Sequence, residues 1–296
     1  MTGSRTSTEI LLGTTVTISI VTDADAQGAI TRAFDWFRQV EACCSRFDRA
    51  SELMQLSHHI GMPVRVSELL FEAVRFALAV AEQTDGAFDP TMGRAMEAMG
   101  FNREHRTGAR VDTALEVAGD VSWRDVSCDA ETRTITLCRP LVLDLGAVAK
   151  GLAIDMAAKE LQPFRDFAID AGGDLLLSGH NPEGAPWSVG IRHPREAGRV
   201  IDVLRVTDQA ICTSGDYERT VDEGHHILDP KTRRSAAGAA SVTVLAPTAM
   251  VADAVATAAF VLGPAKGIEL CDSLGLEALI FDADLNRHET DGLRDE

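Results

Sequence analysis

At 296 residues, with 45% hydrophobic and 25% charged residues, the chain can bury a sizeable core as one large or two intimate domains of a soluble globular protein. Its 28 basic and 45 acidic residues give a net charge of −17, which argues against nucleic acid or an anionic membrane as partner, since no basic face is available. A phosphate-bearing ligand then needs local help, from a helix N-terminus, a metal or a few placed cations.

The chain opens without a charged-then-apolar leader pattern and shows no spanning segment, so a cytoplasmic location is expected. Glu9 to Val21 alternates and is rich in Thr, Val and Ile, the pattern of a strand or bent hairpin, with Leu12-Gly-Thr-Thr15 either a glycine bulge, the favoured reading, or a ligand contact. From Gln27 to Phe47 apolar residues recur at helical spacing (Ile30, Phe34, Phe37, Val40). A second helix is predicted from a Ser67 cap to Thr84, stopped by Asp85-Gly86. The loop Gly86-Ala-Phe-Asp-Pro-Thr-Met-Gly93 follows, its Phe88 either offering an aromatic face or plugging the core.

Short strands and turns are predicted from Val126 to Leu145, ending in the apolar run Leu141-Val-Leu-Asp-Leu145, read as a buried strand. This run breaks at Gly146 into an Ala-rich helix, Ala147 to Leu161. Phe167 to Ser178 reads as a strand whose glycine pair marks a bulge or close backbone approach, and Trp187–Arg192, Arg199–Val206 and Ala210–Thr213 are expected to continue the same sheet. A strand over Ser241–Ala246, helices over Thr248–Leu262 and Pro264–Leu274, and a closing strand over Leu276–Phe281 complete the chain. The order predicts an α+β fold of mostly antiparallel sheets with packed helices, residues 1–282 forming one domain and 283–296 a loosely ordered polar tail. The six cysteines (Cys43, Cys44, Cys128, Cys138, Cys212, Cys271) lack C-x2-C or zinc spacing and read as small core residues of a reduced, intracellular protein.

Three stretches carry chemistry. A strand feeding a helix through Gly146 exposes backbone N–H groups to an anion; Lys150 adds a positive charge and Asp144 a carboxylate. The plain alternative is an ordinary strand–turn–helix with a surface lysine and a capping aspartate. The helix from Ala249 to Phe260 is almost entirely apolar, interrupted by Asp253 and Thr257 on one face. A buried carboxylate is costly unless paired or metal-bound, and carboxylate, hydroxyl and carbonyl oxygens suit Mg²⁺. The alternative is a satisfied pair, Thr257 bonding back to the carbonyl of Asp253. In His225-His226, an extended backbone points the two rings opposite ways, so one can serve as acid or base at a site.

Asp144-Leu-Gly-Ala-Val-Ala-Lys-Gly-Leu-Ala-Ile-Asp155 closely resembles the signature of the ApbE family, the FAD:protein FMN transferases. So do Asp170-Ala-Gly-Gly-Asp174, Thr213-Ser-Gly-Asp-Tyr-Glu-Arg219, His226-Ile-Leu-Asp-Pro230 and Ala246 to Thr257, with Ser45-Arg-Phe47 and Gly86-Ala-Phe-Asp89 in family order upstream. The resemblance spans roughly residues 10 to 282. It implies an ApbE-like, T-fold-related architecture and an enzyme that moves FMN from FAD to a Thr or Ser hydroxyl of an acceptor flavoprotein, releasing AMP. It further implies Mg²⁺ held by Asp253, Thr257 and the carbonyls of Ala147 and Ala256. Leu12, Phe47, Ala87, Phe88, Asp89, Asp144, Lys150 and Ile227 fall where the family contacts FAD, and His226 where it takes the acceptor's proton. Departures are Leu12 for Met, Ala147 for Gly, Val251 for Glu and Arg233 for Gly; none removes a proposed ligand or base. A Mg²⁺-dependent FAD pyrophosphatase and a non-catalytic flavin-binding protein are the competing readings. The family's acceptors present Asp upstream of Gly/Ser-Ala-Thr/Ser, and the nearest segment, Thr84-Asp-Gly-Ala-Phe88, has Phe where the hydroxyl belongs. The acceptor is therefore expected to be another polypeptide with an exposed Thr/Ser-containing segment.

Overall fold

The computed structural model describes residues 3–104, 108–113, 115, 119–221 and 224–294. The head of the N-terminal segment, Met1 and Thr2, and the last two residues of the predicted tail lie outside them. A hairpin of β1 (Ser4–Leu11) and β2 (Thr14–Val21) leads into α1 (Gln27–Cys44), the short α2 (Glu52–Leu56), β3 (Val64–Arg65), α3 (Glu68–Gln83) and α4 (Gly93–Ala98). Next come β4 (Val126–Asp129), β5 (Thr134–Leu137) and α5 (Gly146–Leu161). Strands β6 (Phe167–Ala171), β7 (Asp174–Ser178), β8 (Trp187–Arg192), β9 (Val200–Val206) and β10 (Gln209–Gly215) follow. Four two-residue strands come after them: β11 (Thr220–Val221), β12 (Gly224–His225), β13 (Leu228–Asp229) and β14 (Arg234–Ser235). The chain ends with β15 (Ser241–Ala246), α6 (Ala249–Leu262), α7 (Pro264–Leu274), β16 (Glu277–Phe281), β17 (Arg287–Glu289) and α8 (Asp291–Arg294).

Eight strands form one antiparallel sheet in the order β1-β2-β6-β7-β10-β15-β16-β17. Alternation sorts its side chains. Val16, Ile18, Ile20, Ile169 and Cys212 join the buried faces of α1, α5 and α6, while Leu177, Ile211, Leu245, Leu279 and Phe281 meet Ile191, Leu204 and Val206 of the β8–β9 hairpin on the other face. Every residue of β15 is buried, as befits a strand covered on both sides. The α+β expectation holds, as does the Ser67 cap of α3, whose hydroxyl accepts from the Leu70 amide.

Four local expectations are corrected. Leu141–Leu145 is buried but joins no ladder; its backbone is fixed by the glycine-bounded loop instead, Gly93 N–H to the Val142 carbonyl and Asp144 N–H to the Pro90 carbonyl. An apolar run reports burial, and burial does not require a strand partner. Gly172-Gly173 is the tight turn between β6 and β7, with φ of 68° and 99°, rather than a bulge in one strand; the close approach expected as the alternative is present, since a Cβ on Gly172 would lie 2.1 Å from Thr14 Oγ1. Strands β8 and β9 leave the sheet and pack across it as a separate hairpin. The polar tail, through residue 294, adds β17 and α8, held by the Ala278 amide donating to Thr290 Oγ1 and by buried Leu293.

Candidate active site

A cavity of about 470 Å³ opens where the β1–β2 turn, the end of α1, the Gly86–Gly93 loop and the N-terminal half of α5 converge with α6 and the segment after β10. Its volume is in the range of small-molecule and cofactor sites. Leu12, Phe47, Ala87, Phe88, Asp89, Asp144, Ala147, Lys150, His226, Ile227, Asp253 and Thr257 all line it. Residues spread over some 245 positions of sequence thus meet at one place. Ala256 does not line the cavity and is fully buried in α6.

At the head of α5 the expected open anion site is largely closed. Asp144 Oδ1 accepts from the Gly146 amide at 2.7 Å, and the Val148 and Ala149 amides turn back to the Leu145 carbonyl. Ala147, in this kinked first turn, departs from helical geometry (φ −95°, ψ 17°). Asp144 Oδ2 pairs with Arg46 Nε at 2.5 Å, and Arg46 also donates to the Phe101 carbonyl and lies 4.2 Å over the Phe47 ring. Burial pushes the Asp144 carboxyl up, but Arg46, the Gly146 amide and Arg219 outweigh it and hold it below the usual range.

Lys150 is half-buried and salt-bridged to the buried Asp174 of β7. Burial opposes its charge, yet Asp174 and Asp253 raise its pKa, so it stays an ammonium at any working pH. Asp253 is 6% exposed, and its Oδ2 has no hydrogen-bond partner among the described residues. Burial first, then Asp174, push this carboxyl up to about 7. Thr257, one turn on, does not form the bond to the Asp253 carbonyl that the alternative reading required; its hydroxyl lies 3.3 Å from that of Ser214. Among the described residues no group of three or more His, Cys, Asp or Glu side chains is placed to hold a metal. The unsatisfied Asp253 carboxylate, the Thr257 hydroxyl one turn on and the Ala147 backbone line the same cavity, and oxygen donors of these kinds fit Mg²⁺ and do not fit zinc.

The two histidines part, His225 closing β12 and His226 standing in the bend that follows it, where an extended backbone was expected to separate them. His225 donates from Nε2 to the Ala236 carbonyl at 2.8 Å, accepts the Ile227 amide at Nδ1, and sets its ring edge-on to Phe260 at 5.5 Å. His226 turns into the cavity edge-on to Phe101, its Nδ1 buried without a partner among the described residues. Burial, then Arg219, pull its pKa down to about 3, so the ring is neutral near pH 7 and Nδ1 can accept a hydrogen bond from a ligand hydroxyl. Asp89 lines the cavity but spends its carboxylate on the loop, accepting from the Thr91 amide and hydroxyl and from the Trp123 amide.

Five contributors were not assigned roles by sequence: Arg46, Phe101, Asp174, Glu218 and Arg219. All but Phe101 lie within the quoted motifs, so the signal was present but silent on function. Glu218 lines the cavity, its carboxyl raised by burial with Lys150 acting against the rise. No helix among the described residues is long and apolar enough to cross a membrane, and all six cysteines are unpaired.

Comparison with known proteins points one way. The model of the ApbE family matches residues 12–280. An FAD:protein FMN transferase of Haemophilus influenzae is 29% identical over 82% of this chain and 75% of its own length, and one from Escherichia coli K12 is 31% identical over 78% and 70%. The crystal structure of the ApbE protein of Thermotoga maritima superposes with a TM-score of 0.87 at 31% identity, covering 99% of this chain and 98% of its own. The flavin transferase ApbE of Vibrio cholerae gives 0.86 at 26% identity, covering 100% and 99%.

Proposed function

The chain belongs to the ApbE family, and from that premise we propose that it moves FMN from FAD to a Thr or Ser hydroxyl of an acceptor protein, with Mg²⁺ in the site and AMP as the leaving group. The observation that carries the reading is Asp253: a buried carboxylate oxygen without a partner, one helical turn from a hydroxyl, facing the same cavity as a neutral buried histidine. A group so placed is costly to the fold unless a ligand satisfies it.

Asp253, Thr257 and the Ala147 carbonyl would hold Mg²⁺, the set drawing on α5 and α6 together; the Ala256 carbonyl, away from the cavity lining, is not needed for it. Bound there, Mg²⁺ supplies neutralisation of the pyrophosphate charge that builds as the bond to AMP breaks. Lys150 sets a permanent positive charge beside the same phosphates, and its bond to Asp174 fixes where that charge sits. His226 takes the proton from the acceptor hydroxyl as its oxygen bonds to the FMN phosphorus; the phosphorus–oxygen bond to AMP breaks, and AMP carries away the electron pair. Phe47, braced by Arg46, and Phe88 offer aromatic surface to the flavin or adenine ring. The acceptor must approach in line with the departing AMP, so binding and orientation do much of the work.

The test is AMP release from FAD and Mg²⁺ with and without an acceptor bearing an exposed Thr/Ser segment. Transfer makes AMP release depend on the acceptor and stop when its hydroxyls are used. Release at the same rate with water alone identifies a pyrophosphatase, and no release at all identifies a flavin-binding protein.

A further inference from the structure

Helices α5 and α6 meet at one close crossing, and two residues of α5 outside the cavity make it. Asp155 places Oδ1 2.7 Å from the Ala249 amide and Oδ2 3.0 Å from the Met250 amide, so one carboxylate receives the first two N–H groups of α6. One turn earlier, a Cβ on Gly151 would lie 2.5 Å from the Ala249 carbonyl oxygen and from Met250 N and Cα. Only glycine lets the helices come this near.

A helix normally takes its cap from the residue just before it, and α6 does: Thr248 Oγ1 accepts the Val251 amide at 3.4 Å. Asp155 lies 94 residues away in sequence and on another helix. Its two-pronged bond therefore fixes the position and rotation of α6 against α5, beyond closing a helix end. That register matters because the proposed donor set is split between the two helices. Ala147 and Lys150 stand on α5; Asp253 and Thr257 stand on α6.

We propose that Asp155 is a positioning residue for the transfer site, clamping the start of α6 so that Asp253 and Thr257 face the Ala147 carbonyl and Lys150. The inference rests on the reading that Mg²⁺ is held across α5 and α6. Partners behind metal ligands commonly govern about 10–100-fold in metal affinity, and this clamp belongs to that class although it acts through the helix backbone. Asp155→Asn keeps the size but turns an NH₂ group toward an amide that also donates, so it opens the clamp on one side.

The experiment titrates Mg²⁺ calorimetrically into the FAD-loaded protein and, separately, measures FAD affinity by flavin fluorescence without Mg²⁺. Asp155→Asn is expected to weaken Mg²⁺ about 10-fold or more while FAD affinity changes less than about 2-fold. Thr248→Val removes a cap of the same helix without touching the clamp and is expected to leave Mg²⁺ affinity as in the wild type. If Asp155→Asn does not fold, Asp155→Glu, which keeps both acceptors but lengthens the arm, carries the same expectation. Unchanged Mg²⁺ affinity in the Asp155 variant overturns the clamp, and so does an equal loss in Thr248→Val, which would mark mere helix stability. A wild-type protein that binds no Mg²⁺ with FAD overturns the metal reading itself, and the clamp with it.

Discussion

His226 and His225 are bonded neighbours with different surroundings, and substitution should separate them. His226→Ala is expected to lower the rate of AMP release to an acceptor by about 10²-fold or more, the usual contribution of a placed base. His225→Ala should cost far less rate and instead lose about 1 kcal/mol of stability with its bond to the Ala236 carbonyl. Burial holds the His226 pKa at about 3, far below an unfolded value near 6.5. The native state then binds fewer protons, so this group's contribution to stability is present above about pH 6.5 and is lost as pH falls toward 3. Between pH 7.5 and 5.5 wild-type protein should lose about 1 kcal/mol on this account, a loss missing from His226→Gln; equal slopes in denaturant titrations of both proteins would refute it. That one of the two rings faces a site was legible from the sequence, although a bend at His226 rather than strand alternation separates them; the cost of burying Asp253 was legible from its apolar helix. The partners were not legible. Thr257 meets Ser214, and Lys150 meets Asp174, because β7 and β10 lie side by side against α5 and α6. No local spacing encodes such pairings.

At the scale of elements, the crossing of α5 and α6 gives the sharpest expectation. Gly151→Ala must push a methyl carbon into the backbone at Ala249 and Met250, and overpacking of this kind costs about 1–3 kcal/mol. The check is the denaturation midpoint; an unchanged midpoint would mean the helices can part freely. Helix α5 was predicted within a residue of its observed start because Gly146 and the Ala-rich pattern are local signals. Leu141–Leu145 and Gly172-Gly173 misled for one shared reason. Hydrophobic runs and glycine pairs report burial and turning, whereas strand pairing depends on what lies alongside. Here the neighbour of the first is the Gly86–Gly93 loop, and the second joins β6 to its own partner β7. The departure of β8 and β9 onto the far face of the sheet was equally invisible, since both faces of a central sheet demand apolar residues.

The whole molecule gathers segments from residue 12 to residue 257 around one cavity, in a chain carrying a net charge of −17. Motifs quoted in family order made the cavity's membership largely legible: twelve of the thirteen residues expected at the site line it, only Ala256 standing apart. Lys150, Arg46 and Arg219 bring cations to a cavity that Asp144, Glu218 and Asp253 also line, and Lys150 and Arg46 are themselves paired with Asp174 and Asp144. Among the cavity-lining segments, Thr84–Phe88 is the nearest to an acceptor sequence, and its Phe88 is 4% exposed. Incubation with excess FAD and Mg²⁺ and no other protein is therefore expected to leave the intact mass of this chain unchanged. A stoichiometric FMN adduct on it would show that it modifies itself. Transfer of FMN through a site built on Asp253 is open to a direct test. The most direct measurement is the intact mass of an acceptor with an exposed Thr/Ser segment after incubation with FAD, Mg²⁺ and either wild-type or Asp253→Ala protein. The expected result is one FMN adduct per acceptor, with matching AMP, from the wild type and none from a variant that still binds FAD. An unmodified acceptor beside released AMP and free FMN, or an adduct formed equally well by Asp253→Ala, would contradict it.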